Sequence, residues 1–288
     1  MRLILLVCLA MAAFAANSVL NRLALAEGGM GPASFAAVRL AAGAVMLAAL
    51  VRARSGRFCP VPAGLGRLRA FGAGTLAIYM IGFSYAYLTL QAGTGALILF
   101  GGVQVTMFAG ALALREPVPL RRWVGAGLAL AGIAVLAAPG MGAAPDPMGA
   151  ALMAAAAVGW GLYSLAGRRA GDPLAATAGN FVLALPLALL VLLALPGGER
   201  VTGAGLAAAM VSGAVTSGLG YALWYAVLPR LAASVAAVAQ LTVPVLAALA
   251  GAALLAELPG PRFWAAAALV IAGVLLSVLR VSRGPSSP

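Results

Sequence analysis

Residues 116–136, EPVPLRRWVGAGLALAGIAVL, return 141 positions later as residues 257–277, ELPGPRFWAAAALVIAGVLLS, without a gap. Glu116 meets Glu257, Arg121 meets Arg262, Trp123 meets Trp264, Leu128 meets Leu269, and Ala131-Gly132 meets Ala272-Gly273. From the pair 111/252 to the pair 136/277 there are 9 identities in 26 positions. Alanine-rich apolar sequence produces chance matches, but Glu, Arg and Trp in one register are not of that kind. The echo reaches upstream: Pro32 meets Pro173 at the same displacement, and Met11-Ala12-Ala13 meets Met153-Ala154-Ala155 one residue off. The chain is therefore a duplication of a unit about half its length, and this constrains every later reading. The two units are expected at 1–140 and 145–283, followed by a short tail, 284–288.

Each unit divides into five apolar runs. The ten runs cover residues 3–23, 33–51, 70–90, 94–114, 123–138, 148–167, 174–195, 203–227, 232–255 and 263–281. Most approach the ~20 residues that a helix needs to cross a ~30 Å hydrocarbon core. Hydrophobic residues make up 64% of the chain, charged residues 8%, and mean hydropathy is +1.08, which places it among polytopic membrane proteins. The alternation of a β-barrel is absent, and lipid requires each span to satisfy its own backbone, so the fold class is all-α. Net charge is +12, yet all 18 basic residues are arginines, mostly between spans; a nucleic-acid partner is not implied. Two cysteines, Cys8 in a span and Cys59 in a loop, do not frame a disulfide scaffold.

The first run imitates a secretory signal, with Arg2, an apolar stretch and Ala13-Phe14-Ala15. Its echo at 153–166 argues for retention, since cleavage would remove a helix from one unit only. Orientation follows from arginine. Fourteen of the 18 lie on one face: Arg2, Arg52, Arg54, Arg57, Arg67, Arg69, Arg115, Arg121, Arg122, Arg168, Arg169, Arg230, Arg280 and Arg283. The positive-inside rule then puts both termini in the cytoplasm of a multi-pass protein of the cell inner membrane. Five spans per unit is an odd number, so the units enter the membrane in opposite directions. Such inverted repeats place a substrate site near the midplane between the halves.

Two five-helix units, each closing on Glu, then Trp seven residues later, then an L-x-x-x-G-[IV] run, resemble the ten-helix EamA branch of the drug/metabolite transporter superfamily, across the whole chain. Arg39 within VRLAAGAVMLAAL, and the segments around Asn17 and Trp160, share in the resemblance. Asn180 stands where the second unit would repeat Arg39, a departure. The resemblance implies export of small metabolites, often amino acids, through a cavity lined by spans 1, 3, 4, 6, 8 and 9. The amino-acid exporters of the YddG group are the relatives it brings nearest. A multidrug or other lipophilic-metabolite exporter of the same superfamily is the alternative.

Polar or aromatic residues deep in a span are the candidates for the cavity, because lipid penalises them. Span 8 offers Ser217, Tyr221 and Trp224 on one helical face, and span 6 offers Trp160 and Tyr163 on another. Tyr79 lies near the middle of span 3, with Phe83 four residues on. Asn17 stands in span 1, Gln104 in span 4 and Gln240 in span 9. Trp160 and Tyr221 lie too deep to be interfacial anchors, the role that suits Trp123 and Trp264; cavity wall and helix contact both remain open for them. In Gln240-Leu-Thr-Val-Pro244 the proline frees the Gln240 carbonyl and kinks the helix, as a site element or a packing feature. Gly101-Gly102 is the nearest counterpart in the first unit, which makes Gly101, Gly102 and Pro244 candidate hinges. Arg39, about eight residues into span 2, is within snorkelling reach of the outer face, and a structural hydrogen-bonding role is favoured over contact with a substrate carboxylate.

Glu27, Glu116, Asp146, Asp172, Glu199 and Glu257 all map to loops or span ends, so a carboxylate proton relay inside the membrane has no obvious residue. With no histidine and no cysteine cluster, no metal or cofactor is expected. No nucleophile with its base points to an intramembrane enzyme. The partners expected are a small-molecule substrate and the lipid bilayer.

Overall fold

A computed structural model describes residues 2–26, 29–56, 66–116, 118–138, 144–167, 170–194, 199–231 and 233–278. Glu27, Arg57, Cys59, Arg168, Arg169, Arg280, Arg283 and the tail 284–288 lie outside the described residues. The first unit contains α1 (Arg2–Ala26), α2 (Pro32–Ser55), α3 (Arg67–Ala86), α4 (Ala92–Ala113) and α5 (Leu120–Ala137). The second begins with α6 (Pro147–Gly167) and α7 (Pro173–Ala194). Its third span is composite: α8 (Gly203–Val211), a π-helical segment (Ser212–Leu219), α9 (Gly220–Val227) and a 3-10 turn. Its fourth is broken into α10 (Ala233–Gln240) and α11 (Thr242–Leu255), and α12 (Pro261–Val278) closes it.

Among the described residues, nine helical segments are long and apolar enough to cross a membrane. The tenth, α3, starts on Arg67 and Arg69 and turns Thr75, Tyr79 and Ser84 inward. Polar groups that face other helices lower a span's hydropathy without exposing it to lipid, so α3 belongs to the membrane through its packing.

The two closing helices, α5 and α12, lie against each other. A Cβ on Gly125 would overlap Ser277 and the Gly273 carbonyl; one on Gly132 would sit 2.8 Å from the Ala266 carbonyl. Contact positions fall along α12 as they rise along α5, so the helices are antiparallel. They are repeat counterparts, and the two units therefore run in opposite senses. Small residues let the backbones approach this closely, which is how helices associate where lipid is as apolar as the side chains. Elsewhere α3 packs on α6, α2 on α7, α4 on α6 and α1 on α11, so the halves interlock around a shared centre.

Candidate functional site

At the centre is a cavity of about 20 Å³. Helix α1 lines it with Phe14, Asn17 and Ser18, α3 with Tyr79 and Phe83, α4 with Leu99 and Phe100, α6 with Trp160, and α9 with Tyr221. That volume holds about one water molecule. A metabolite enters only if the helices part.

Aromatic rings form most of the wall. Trp160 lies 5.0 Å from Tyr79, 5.1 Å from Tyr221 and 5.4 Å from Tyr163, ring centre to ring centre. Tyr79 and Phe83, one turn apart on α3, are 5.3 Å from each other. Phe14 meets Tyr221 edge-on at 5.7 Å. These separations fall in the range where ring edges and faces attract beyond simple burial.

A polar layer stands behind the rings. Asn17 Oδ1 accepts from Ser212 Oγ at 2.8 Å, Thr216 Oγ1 at 2.5 Å and Ser217 Oγ at 3.4 Å. Ser212, Thr216 and Ser217 belong to the π-helical segment, whose wider turn gathers their hydroxyls onto one acceptor; such segments frequently mark functional sites. Gly213 lets this segment lie on the backbone of α2, since a Cβ there would overlap the Arg39 carbonyl. One turn beyond Asn17, Asn21 Nδ2 donates to the Asn17 carbonyl and Asn21 Oδ1 accepts from Ser84 Oγ at 3.1 Å.

Arg39 is fully buried. It does not snorkel to a face, contrary to its expected reach. Its Nε donates to Ser217 Oγ at 3.0 Å and its Nη2 to the Tyr79 hydroxyl at 3.1 Å. The guanidinium carbon lies 5.0 Å from the Phe83 ring centre and 5.5 Å from that of Tyr79. Nη1 is buried without a hydrogen-bond partner, and the Tyr221 hydroxyl is directed at that of Tyr79. The described carboxylates stand at helix ends, whereas Arg39 sets a permanent cation behind the cavity wall, at Tyr79 and Phe83.

Of the candidate residues, Asn17, Tyr79, Trp160 and Tyr221 are brought together at the cavity. Ser217 lies one layer back, bonded to both Asn17 and Arg39. Tyr163 is buried and donates to Thr177 Oγ1 at 3.2 Å, tying α6 to α7 behind Trp160. Trp224 packs edge-on against Phe14 at 6.0 Å rather than facing the cavity. Gln104 and Gln240 are half-buried and lie off the lining. The helix does break at Gln240, before Thr242 starts α11, and Thr242 Oγ1 donates to the Ala239 carbonyl exposed by the break. Pro244 falls in the first turn of α11, where the missing N–H costs little. No break occurs at Gly101-Gly102: α4 runs through them, and a Cβ on Gly102 would sit 2.7 Å from Ala157. Among its described residues, the ninth span thus contributes none to the lining. Phe14, Ser18, Leu99 and Phe100 escape the sequence reading: Leu99 carries no mark of which way it faces in an apolar span, whereas Phe14, Ser18 and Phe100 are of the aromatic or polar kind sought, and the i, i+4 spacing of Phe14 and Ser18 beside Asn17 is the signal that finds two of them.

The end that holds α2 and α4 starts is closed by carboxylates from the second unit. Glu199 accepts from the Ala33 and Ser34 N–H groups at 3.0 and 2.6 Å, capping α2. Gly31 is required there, because a Cβ would overlap that carboxylate. Glu257 accepts from the Ala92 N–H at 2.7 Å, capping α4, and from Arg22 Nε at 2.6 Å. Both use the positive end of a helix of the other unit. At the opposite end Arg54 pairs with Asp172, both about half exposed.

The profile of the EamA-like transporter family matches residues 1–138 and 147–279 of this chain. A Pseudomonas aeruginosa protein described as uncharacterized is 49% identical over 275 residues, covering 96% of this chain and 94% of that protein. One crystal structure of a protein superposes with a TM-score of 0.71 at 22% identity, covering 98% of this chain and 99% of the other, which bears on fold alone.

Proposed function

The chain belongs to the EamA-like transporter family, and on that premise we propose that it exports small metabolites, amino acids first among them, across the inner membrane by alternating access. That it is a multi-pass membrane transporter of small molecules follows from the family. The observation that carries the narrower reading is the central cavity, aromatic in its walls and polar on one side, at the meeting point of two antiparallel units. Rings accept side chains of many shapes, and one methylene is worth only about 1–3 kcal/mol in such a wall, so several amino acids are taken. Both termini lie in the cytoplasm, and the end closed by Glu199 and Glu257 faces outward. Units 1–140 and 145–283 rock against each other, with Gln240–Pro244 as the flexible element of the second.

The test is counterflow in proteoliposomes across the amino acids, with and without a proton gradient. Transport of lipophilic compounds with no amino-acid transport would replace this reading by the multidrug alternative, which the same rings serve.

A further inference from the structure

Arg39 brings a positive charge to the centre of a membrane protein, and the structure gives it no negative partner. The described carboxylates of Glu116, Asp146, Asp172, Glu199 and Glu257 are at helix ends, and none contacts Arg39. Its two bonds go to neutral hydroxyls. Burying an arginine within a span is costly, and intramembrane cations are ordinarily paired. What remains unfilled is specific in kind. Arg39 Nη1 is a buried donor without an acceptor, and the Tyr221 hydroxyl is directed at the Tyr79 hydroxyl. The Tyr79 hydroxyl accepts from Arg39, which leaves its proton to donate. Tyr79 and Tyr221 both line the cavity. Tyr79, Tyr221 and, behind them, Arg39 bring donors and positive charge to one side of the cavity, and among the described residues no anion answers them.

We propose that the central site reads a carboxylate: the substrate presents an anionic group to the donors around Tyr79, Tyr221 and Arg39, and a solute lacking that group is rejected. The inference rests on the transport reading above and narrows it. Arg39, behind the lining, supplies the countercharge through its Tyr79 bond, and Nη1 keeps donor capacity for the anionic group. The rings of Phe14, Phe83 and Trp160 take the apolar remainder. Zwitterionic amino acids meet this requirement, as do monocarboxylic acids without an amine; lipophilic cations are repelled.

The experiment uses purified full-length protein in nanodiscs, with ligand-induced thermal stabilisation as the binding readout and proteoliposome counterflow as the transport readout. Probes are the amino acids, their amides, and the matching monocarboxylates; for one side chain these are L-phenylalanine, L-phenylalaninamide and 3-phenylpropionate. Wild type is expected to bind the acids at least roughly tenfold more tightly than the amides, the scale of one charge-assisted hydrogen bond. Arg39→Gln is expected to erase that preference to within about twofold, and Arg39→Lys to restore part of it. Equal binding of acid and amide by wild type overturns the carboxylate proposal and leaves the transporter standing; this arm needs no variant, so a misfolded Arg39→Gln does not blunt it. An acid preference that survives in folded Arg39→Gln overturns the role of Arg39. Failure of every probe, acid or amide, to bind or move overturns the amino-acid reading itself and the carboxylate proposal with it.

Discussion

Arg22 Nε stands 2.6 Å from Glu257 Oε1, joining α1 of the first unit to the link before α12 of the second. Arg22 Nη1 also donates to the Tyr87 and Leu88 carbonyls, at 3.1 and 3.0 Å. Three elements from two units meet on this pair. Glu116, the repeat counterpart of Glu257, is exposed and forms no comparable bond among the described residues. The two ends of the molecule are thus unequally fastened.

Glu257→Gln should loosen the fastened end. The pair is mostly shielded from solvent, so losing the ionic bond costs about 1.5–3 kcal/mol. A cysteine introduced at Ser18, in a background without native cysteines, is expected to react with an impermeant maleimide from outside about tenfold faster in the variant. An unchanged rate would mean that this bond does not hold the end shut.

Trp160→Ala removes the ring that touches Tyr79, Tyr163 and Tyr221 together. Each such ring pair contributes about 0.5–1.5 kcal/mol beyond burial, so transport should fall on the order of tenfold at unchanged membrane expression. Gln240→Leu is expected to lower transport as well, through the helix break. Pro186→Ala, inside the uninterrupted α7, should leave it within about twofold of wild type.

Gly273→Val places a side chain against the Gly125 carbonyl, 2.5 Å from the new Cβ, and against Leu128. Overpacking costs about 1–3 kcal/mol. A melting temperature lowered by several degrees in detergent is expected. Gly127→Val, on the facing helix α5 but with open space at its Cβ, should melt like wild type.

Orientation is tested by Ser55→Cys in the same cysteine-free background. The residue ends α2 beside Arg52 and Arg54. It should resist impermeant reagents on intact cells and react after permeabilisation; ready labelling of intact cells would invert the topology.

Transport should follow the solute gradient and change by less than about twofold when a pH gradient is imposed, because the described carboxylates all lie at helix ends. Uphill accumulation driven by pH alone would require a proton carrier at one of those ends.

Fold class was legible because the bilayer enforces it. Apolar runs of ~20 residues must be helices, and a repeat of five of them must run both ways. The Glu116/Glu257 register announced the duplication, and the α5–α12 crossing at Gly125, Gly132 and Gly273 is its physical form. Asn17, Tyr79, Trp160 and Tyr221 were found because a polar or aromatic group deep in a span needs a partner. Tertiary structure alone decided the rest. Which face of α1 or α4 turns inward depends on neighbours, so Leu99 stayed hidden among equally apolar residues, and nothing set Phe14 and Phe100 apart from phenylalanines that pack elsewhere. Arg39 read as a hydrogen-bonding residue within snorkelling reach of a face; its full burial stayed hidden because distance along one helix says nothing of the helices around it, and α3 and the π-helical segment supply its two bonds. Glu199 and Glu257 read as loop charges because the helix starts that they cap, at Ala33 and Ala92, lie more than 160 residues away along the chain. Contacts between units are fixed only when the units meet.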